Sequence, residues 1–121
     1  MNKEIKEKWI KALRSGEYKQ GRGRMDREEG GEHYFCCLGV LCDISNLDRK
    51  PIPNEPHLFM YTYNGIAEDF NNCVGNYPPK LFSDSIGIDE DAMKVLANMN
   101  DHVEPYEVDF SEIADYIQEN L

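Results

Sequence analysis

The chain has 121 residues, of which 40% are hydrophobic and 30% charged, and a formal net charge of −10. That length suits one domain spanning residues 1–121, because a second would leave neither half enough buried surface to offset its chain entropy. The apolar content excludes the disordered class. The acidic balance argues against direct nucleic-acid binding, since phosphate contacts need Lys and Arg.

Charge is unevenly placed. Residues 1–50 carry 11 basic and 9 acidic side chains, whereas residues 51–121 carry 2 basic and 14 acidic ones. An asymmetry of this kind marks a candidate interaction face for a basic partner, or a surface kept soluble by its own charge.

Met1 to Trp9 lack an apolar run, so neither a signal peptide nor a membrane span is expected, and the expected location is cytoplasmic. Residues 3–14 read as an amphipathic helix with Ile5, Trp9, Ile10 and Leu13 on one face and Ser15-Gly16 as its stop. A β-hairpin follows, built from the stretches around Tyr18–Met25 and His33–Phe35, with Gly30-Gly31 near its tip.

From Cys36 the run Cys-Cys-Leu-Gly-Val-Leu-Cys-Asp-Ile reads as a helix that buries Cys36, Cys37, Val40, Leu41 and Ile44 and leaves Gly39, Asp43 and Asn46 opposite. Residues 47–79 read mostly as loop, except for a strand over His57–Tyr63. Pro78-Pro79 opens a short helix through Ile86. Asp89 caps another, with Ala92, Val95, Leu96 and Met99 turned inward. Asp109 and Glu112 have capping-box spacing before a last helix whose apolar face is Ile113, Ala114, Ile117 and Leu121. The expected fold is therefore α+β: an N-terminal helix, a β-hairpin and several short C-terminal helices. Its expected core is Trp9, Leu13, Cys37, Val40, Leu41, Val95, Leu96, Ile113 and Ile117.

The candidate chemistry is sparse. His33, His57 and His102 match no known Cys-His spacing with the four cysteines, so no catalytic residue is assigned and a binding protein is expected rather than an enzyme. His33-x-x-Cys36 has knuckle-like spacing, and Cys42 and Cys73 complete a possible structural zinc set of His33, Cys36, Cys42 and Cys73. The alternative is that these cysteines are small buried hydrophobes. Arg22 and Arg24 lie in a Gly-rich turn that lacks the P-loop pattern; it is either a weak phosphate contact or an exposed turn.

Two stretches, Trp9-Ile-Lys-Ala-Leu-Arg-Ser-Gly-Glu-Tyr-Lys-Gln-Gly21 and Phe35-Cys-Cys-Leu-Gly-Val-Leu-Cys-Asp43, occur together with Asn100-Asp101 and Phe110–Ile117. In these segments the chain resembles a family of small proteins encoded by phages and prophages. The resemblance implies a phage setting, in which small acidic proteins are often antagonists of host defence, and anti-CRISPR proteins are the best-known group. On that basis the expected partner is a host protein with a basic surface, a type II RNA-guided nuclease whose DNA loading is blocked. The expected contact residues are Asp101, Glu104, Glu107, Asp109 and Asp115. The alternative is a sponge for a small nucleotide signal, with a pocket built from Arg22, Arg24, Phe59, Tyr61 and Tyr63.

Overall fold

The computed structural model describes residues 1–102 and 108–121. Glu104 and Glu107, two of the expected contact residues, lie outside the described residues. The element order is α1 (Lys3–Arg14), β1 (Lys19–Gln20), β2 (Asp26–Glu29), β3 (Glu32–Phe35), α2 (Cys37–Ile44), β4 (Asp48–Ile52), β5 (Glu55–Thr62), α3 (Lys80–Ile86), α4 (Glu90–Asp101) and α5 (Phe110–Asn120). This is an α+β fold with its sheet and helices drawn from alternating parts of the chain.

Helix α1 starts where Asn2 accepts a hydrogen bond from the Ile5 backbone N–H at 2.9 Å, and it buries Trp9 and Leu13. The expected turn at Gly30-Gly31 is present, but the first arm of its hairpin is β2, Asp26–Glu29, and not Tyr18–Met25, from which Lys19–Gln20 forms β1. Gly30 and Gly31 at its tip have φ of 60° and 82°, left-handed values that glycine adopts without a Cβ clash. Beyond the hairpin, the strands assemble in the order β1-β3-β2-β5-β4, with β1 parallel to β3 and the other pairs antiparallel.

Strand β4 falls within the stretch read as mostly loop. Asp48-Arg-Lys-Pro-Ile has no apolar alternation, and only Ile52 among its residues is buried. Its backbone pairing with β5 defines it, and an edge position tolerates both the charges and Pro51, whose missing N–H faces no further strand.

Helix α2 packs against α1, α4 and β3. The indole Nε1–H of Trp9 donates to the Cys37 carbonyl at 2.9 Å, so α1 and α2 are joined by a bond as well as by apolar contact. The sequence reading placed Gly39 on the outer face of this helix, but it is buried. A Cβ built there would stand 1.9 Å from the Met25 carbonyl oxygen, so only glycine allows the helix to touch that backbone. Every residue from Cys37 to Cys42 is buried, because α2 is enclosed by neighbours rather than laid on a surface.

Eight of the nine expected core residues are buried, and Val95 is the exception at 40% exposed. Helix α4 is rotated so that Met93, Leu96 and Asn100 point inward. A polar residue, Asn100, sets this phase, and a count of apolar positions could not anticipate it.

Candidate functional site

Two fully buried polar side chains, Asn100 and Asp26, organise most of the chemistry of this protein. Asn100 ends the buried stripe of α4 and uses both ends of its amide. Its Oδ1 accepts from the Cys37 backbone N–H at 3.2 Å and from the Gln20 amide at 3.1 Å. Its Nδ2 donates to the Gly21 carbonyl at 2.8 Å. The first turn of α2 leaves its backbone N–H groups without partners inside the helix, and the Asn100 bond to Cys37 satisfies one of them. Around this point Arg22 donates from its guanidinium to the Asn100 carbonyl, and the Gly23 N–H donates to Asp101 Oδ1 at 2.8 Å. Gly21, Cys37 and Asn100 come from three sequence segments that lie far apart in the chain, and Trp9 adds its bond to Cys37. Those segments meet in space as an internal clamp.

Asp26 begins β2. Its Oδ2 accepts from the Tyr61 hydroxyl at 2.7 Å, and Arg49 Nη1 approaches the same oxygen at 3.5 Å. Its Oδ1 lies 2.7 Å from His33 Nδ1. A carboxylate offers only lone pairs, so Nδ1 carries the hydrogen and Nε2 faces Glu28, whose Oε2 is 3.5 Å away. Burial pushes the Tyr61 phenol far above its usual value, and the neighbouring Asp26 charge and hydrogen bond add to it. Phe59 completes the group, with its ring centroid 5.0 Å from that of His33 and the Arg49 guanidinium 5.5 Å above its ring. Four strands thus bring a buried carboxylate, a half-exposed imidazole and an exposed arginine together. Of this group, Asp26 and Arg49 were not expected, whereas Phe59 and Tyr61 were expected as parts of a nucleotide pocket and His33 as a zinc ligand. The hairpin tip would have revealed its neighbour, because a turn at Gly30-Gly31 puts Glu28 opposite His33 and Asp26 diagonal to it on one face. Arg49 carries no such local signal.

The four expected zinc ligands are not gathered around one point. His33 Nδ1 is engaged by Asp26, Cys36 and Cys42 are buried, and Cys73 is exposed in the segment before α3. Among the described residues, no group of three or more His, Cys, Asp or Glu side chains is disposed to hold a metal ion. Burial pushes the Cys36 thiol up to about 12 and those of Cys37 and Cys42 well above the usual value, which keeps them protonated and unreactive at neutral pH.

The expected acidic contact residues have internal tasks. Asp101 accepts from Gly23 as described, Asp109 caps α5 by accepting from the Glu112 N–H at 2.9 Å, and Asp115 pairs with Arg14 at 2.6 Å. The expected nucleotide pocket is also dispersed. Arg22 is committed to Asn100, Arg24 reaches Asn76 at 3.2 Å, Tyr61 is buried on Asp26, and Tyr63 lies beside Phe82.

A mixed sheet, an enclosed central helix and a clamp made from distant segments define a small α+β domain whose characteristic residues support its architecture. The chain belongs to the family described as a domain of unknown function, DUF8296, whose model matches residues 1–121. No curated protein and no solved structure matches it. Among the described residues, no helix is long and apolar enough to cross a membrane.

Proposed function

We propose that this chain is a non-catalytic binding protein that docks its acid-rich helical side on a basic host protein, acting as a phage-encoded antagonist of host defence that blocks target-DNA loading by a type II RNA-guided nuclease. The observation that supports this reading is the state of the two cations in residues 51–121. Lys80 is held by Asp84 at 2.8 Å and Lys94 lies 3.8 Å from Glu90, each one helical turn apart, so neither lysine offsets the other acids of that half. Asp91 on α4 and Glu112 and Glu119 on α5 are exposed and make no ion pair among the described residues. These three are better contact candidates than Asp101, Asp109 and Asp115, which serve the fold. Protonated, buried thiols favour binding over thiol chemistry. The sponge for an anionic nucleotide has less support, because the arginine it needs most, Arg22, is bonded to a backbone carbonyl.

Carboxylates facing a basic groove accelerate encounter and lose effect as salt screens them beyond about 8 to 10 Å. Co-purification of the chain with such a nuclease, together with a DNA-loading assay at low and high salt, tests the reading. Inhibition should weaken with salt and disappear in the combined variant Asp91→Lys, Glu112→Lys, Glu119→Lys, with its circular dichroism spectrum matching that of the parent. A wild-type chain that neither co-purifies with the nuclease nor reduces DNA loading overturns the proposal.

A further inference from the structure

A cleft of about 540 Å³ opens between the first turns of α1, the junction of α2 with β4, the end of β5 and α3. That volume lies in the range of small-molecule sites. Half-buried Tyr63 offers an aromatic ring to the cleft, and buried Phe82 backs it, with ring centroids 5.6 Å apart. Ser45 also belongs to the lining, although its Oγ is itself buried.

Two asparagines on the lining sit where the backbone would ordinarily select glycine. Asn46 has φ of 60° just past the end of α2, where the Leu47 N–H closes the helix by bonding the Cys42 carbonyl at 3.2 Å. Asn64 has φ of 53° and is followed by Gly65 at 80°. The Tyr63 and Ile66 backbones exchange hydrogen bonds of 2.9 and 3.1 Å across them, the arrangement of a tight two-residue hairpin turn. Both backbones are fixed by their own hydrogen bonds, so each amide is offered from a rigid support.

The charges in the lining decide between ligand classes. Lys8 is its one cation and is paired with Glu4 at 3.6 Å, and Asp48 adds a second carboxylate. A phosphate would meet net negative charge there. The Tyr63 ring accepts a planar ring by stacking, and a side-chain amide presents the donor and acceptor that match the N6 and N7 edge of adenine.

We infer that this cleft binds an uncharged, planar, hydrogen-bonding ligand of nucleoside size, with adenosine as the best chemical match. The site is separate from the acidic faces of α4 and α5 and does not depend on the nuclease reading. Titration calorimetry of the full chain should show saturable one-to-one binding of adenosine with a Kd of about 100 µM, in keeping with ordinary ligand efficiencies. Adenosine 5′-monophosphate should bind about fivefold more weakly or worse because of repulsion by the carboxylates, and phenol, which offers stacking alone, should give no saturable heat. Asn46→Gly and Asn64→Gly keep the left-handed backbone and remove only the amide, so at least one should weaken adenosine about fivefold or more without lowering the melting temperature. Ser85→Phe, an exposed helix position lining the cleft, should abolish binding while the circular dichroism spectrum is retained. The inference is overturned if the folded wild-type chain gives no heat with adenosine, if the monophosphate or phenol binds as tightly, if both glycine variants bind at full affinity, or if folded Ser85→Phe still binds.

Discussion

Asp26 and Asn100 are equally inaccessible, yet they are satisfied in different ways. The charged residue takes its hydrogen bonds from side chains, those of Tyr61, His33 and Arg49, and two of these extend to the surface. The neutral residue bonds side chains of Gln20 and Asp101 too, but its buried partners are backbone groups, at Cys37 and Gly21. Side-chain partners can turn toward water when their acceptor is lost, whereas backbone groups locked inside a helix start or a strand connection cannot. The neutral amide is therefore expected to matter more to stability than the buried charge. The Asp26 cluster, with half-exposed His33 and exposed Arg49, is the part of the interior open to solvent.

Alkali gives the largest expected effect, on the Asn100 side. Cys36 is raised to about 12 and Cys37 and Cys42 further, all mainly by burial, from an ordinary value of 9.0. Because the folded chain holds these protons more tightly than the unfolded one, stability is intact below pH 9 and falls as pH rises toward the folded values. By about pH 10 the loss should reach about 4 kcal/mol for the three thiols together. Denaturant unfolding across that range checks it, and a flat profile would mean that the thiols are not enclosed. A thiol reagent at neutral pH should label Cys73 alone in the folded chain.

Next comes Gly39→Ala, at the contact where the two regions join. Met25 precedes Asp26, and its carbonyl both accepts from the Cys36 N–H at 3.1 Å and lies against Gly39. A methyl group there meets backbone that has no free side to move to, so the cost should exceed about 3 kcal/mol in chemical unfolding. A variant within about 1 kcal/mol of the parent would mean that α2 and β2 can separate cheaply.

Asn100→Ala and Asp26→Ala set the two residues directly against each other. Removing Asn100 leaves a buried N–H and a buried carbonyl unpaired, at about 2 to 5 kcal/mol. Removing Asp26 strands chiefly the Tyr61 hydroxyl, at about 1 to 3 kcal/mol. Equal losses, or a larger one at Asp26, would show that the ion contacts dominate after all. The smallest effect should be that of Tyr61→Phe, about 1 kcal/mol, since the carboxylate keeps His33 and Arg49. A loss above about 3 kcal/mol would show that the exposed partners do not compensate.

The sequence by itself determined the elements whose cause is local. Periodicity and a glycine stop set α1 over residues 3–14; Asp89 and Asp109 cap α4 and α5 as their spacing implies; and Gly30-Gly31 turns the first hairpin. Each depends on residues within a few positions of one another, so a linear reading contains the physics. Tertiary structure alone decided that polar β4 is a strand, since its partner strand supplies the hydrogen bonds, and that Gly39 faces inward, since Met25 is the obstacle. It also decided that α4 turns Asn100 rather than Val95 to the core. The candidate sites follow the same division: His33 stood out by residue type, but Asp26, Tyr61 and Arg49 join it through sheet pairing, and Ser45, Asn46, Asn64 and Phe82 share a cleft only after three elements pack. Acidic segments were legible as charge, yet whether an acid caps a helix, bonds a loop or remains open to a partner depends on what packing brings beside it.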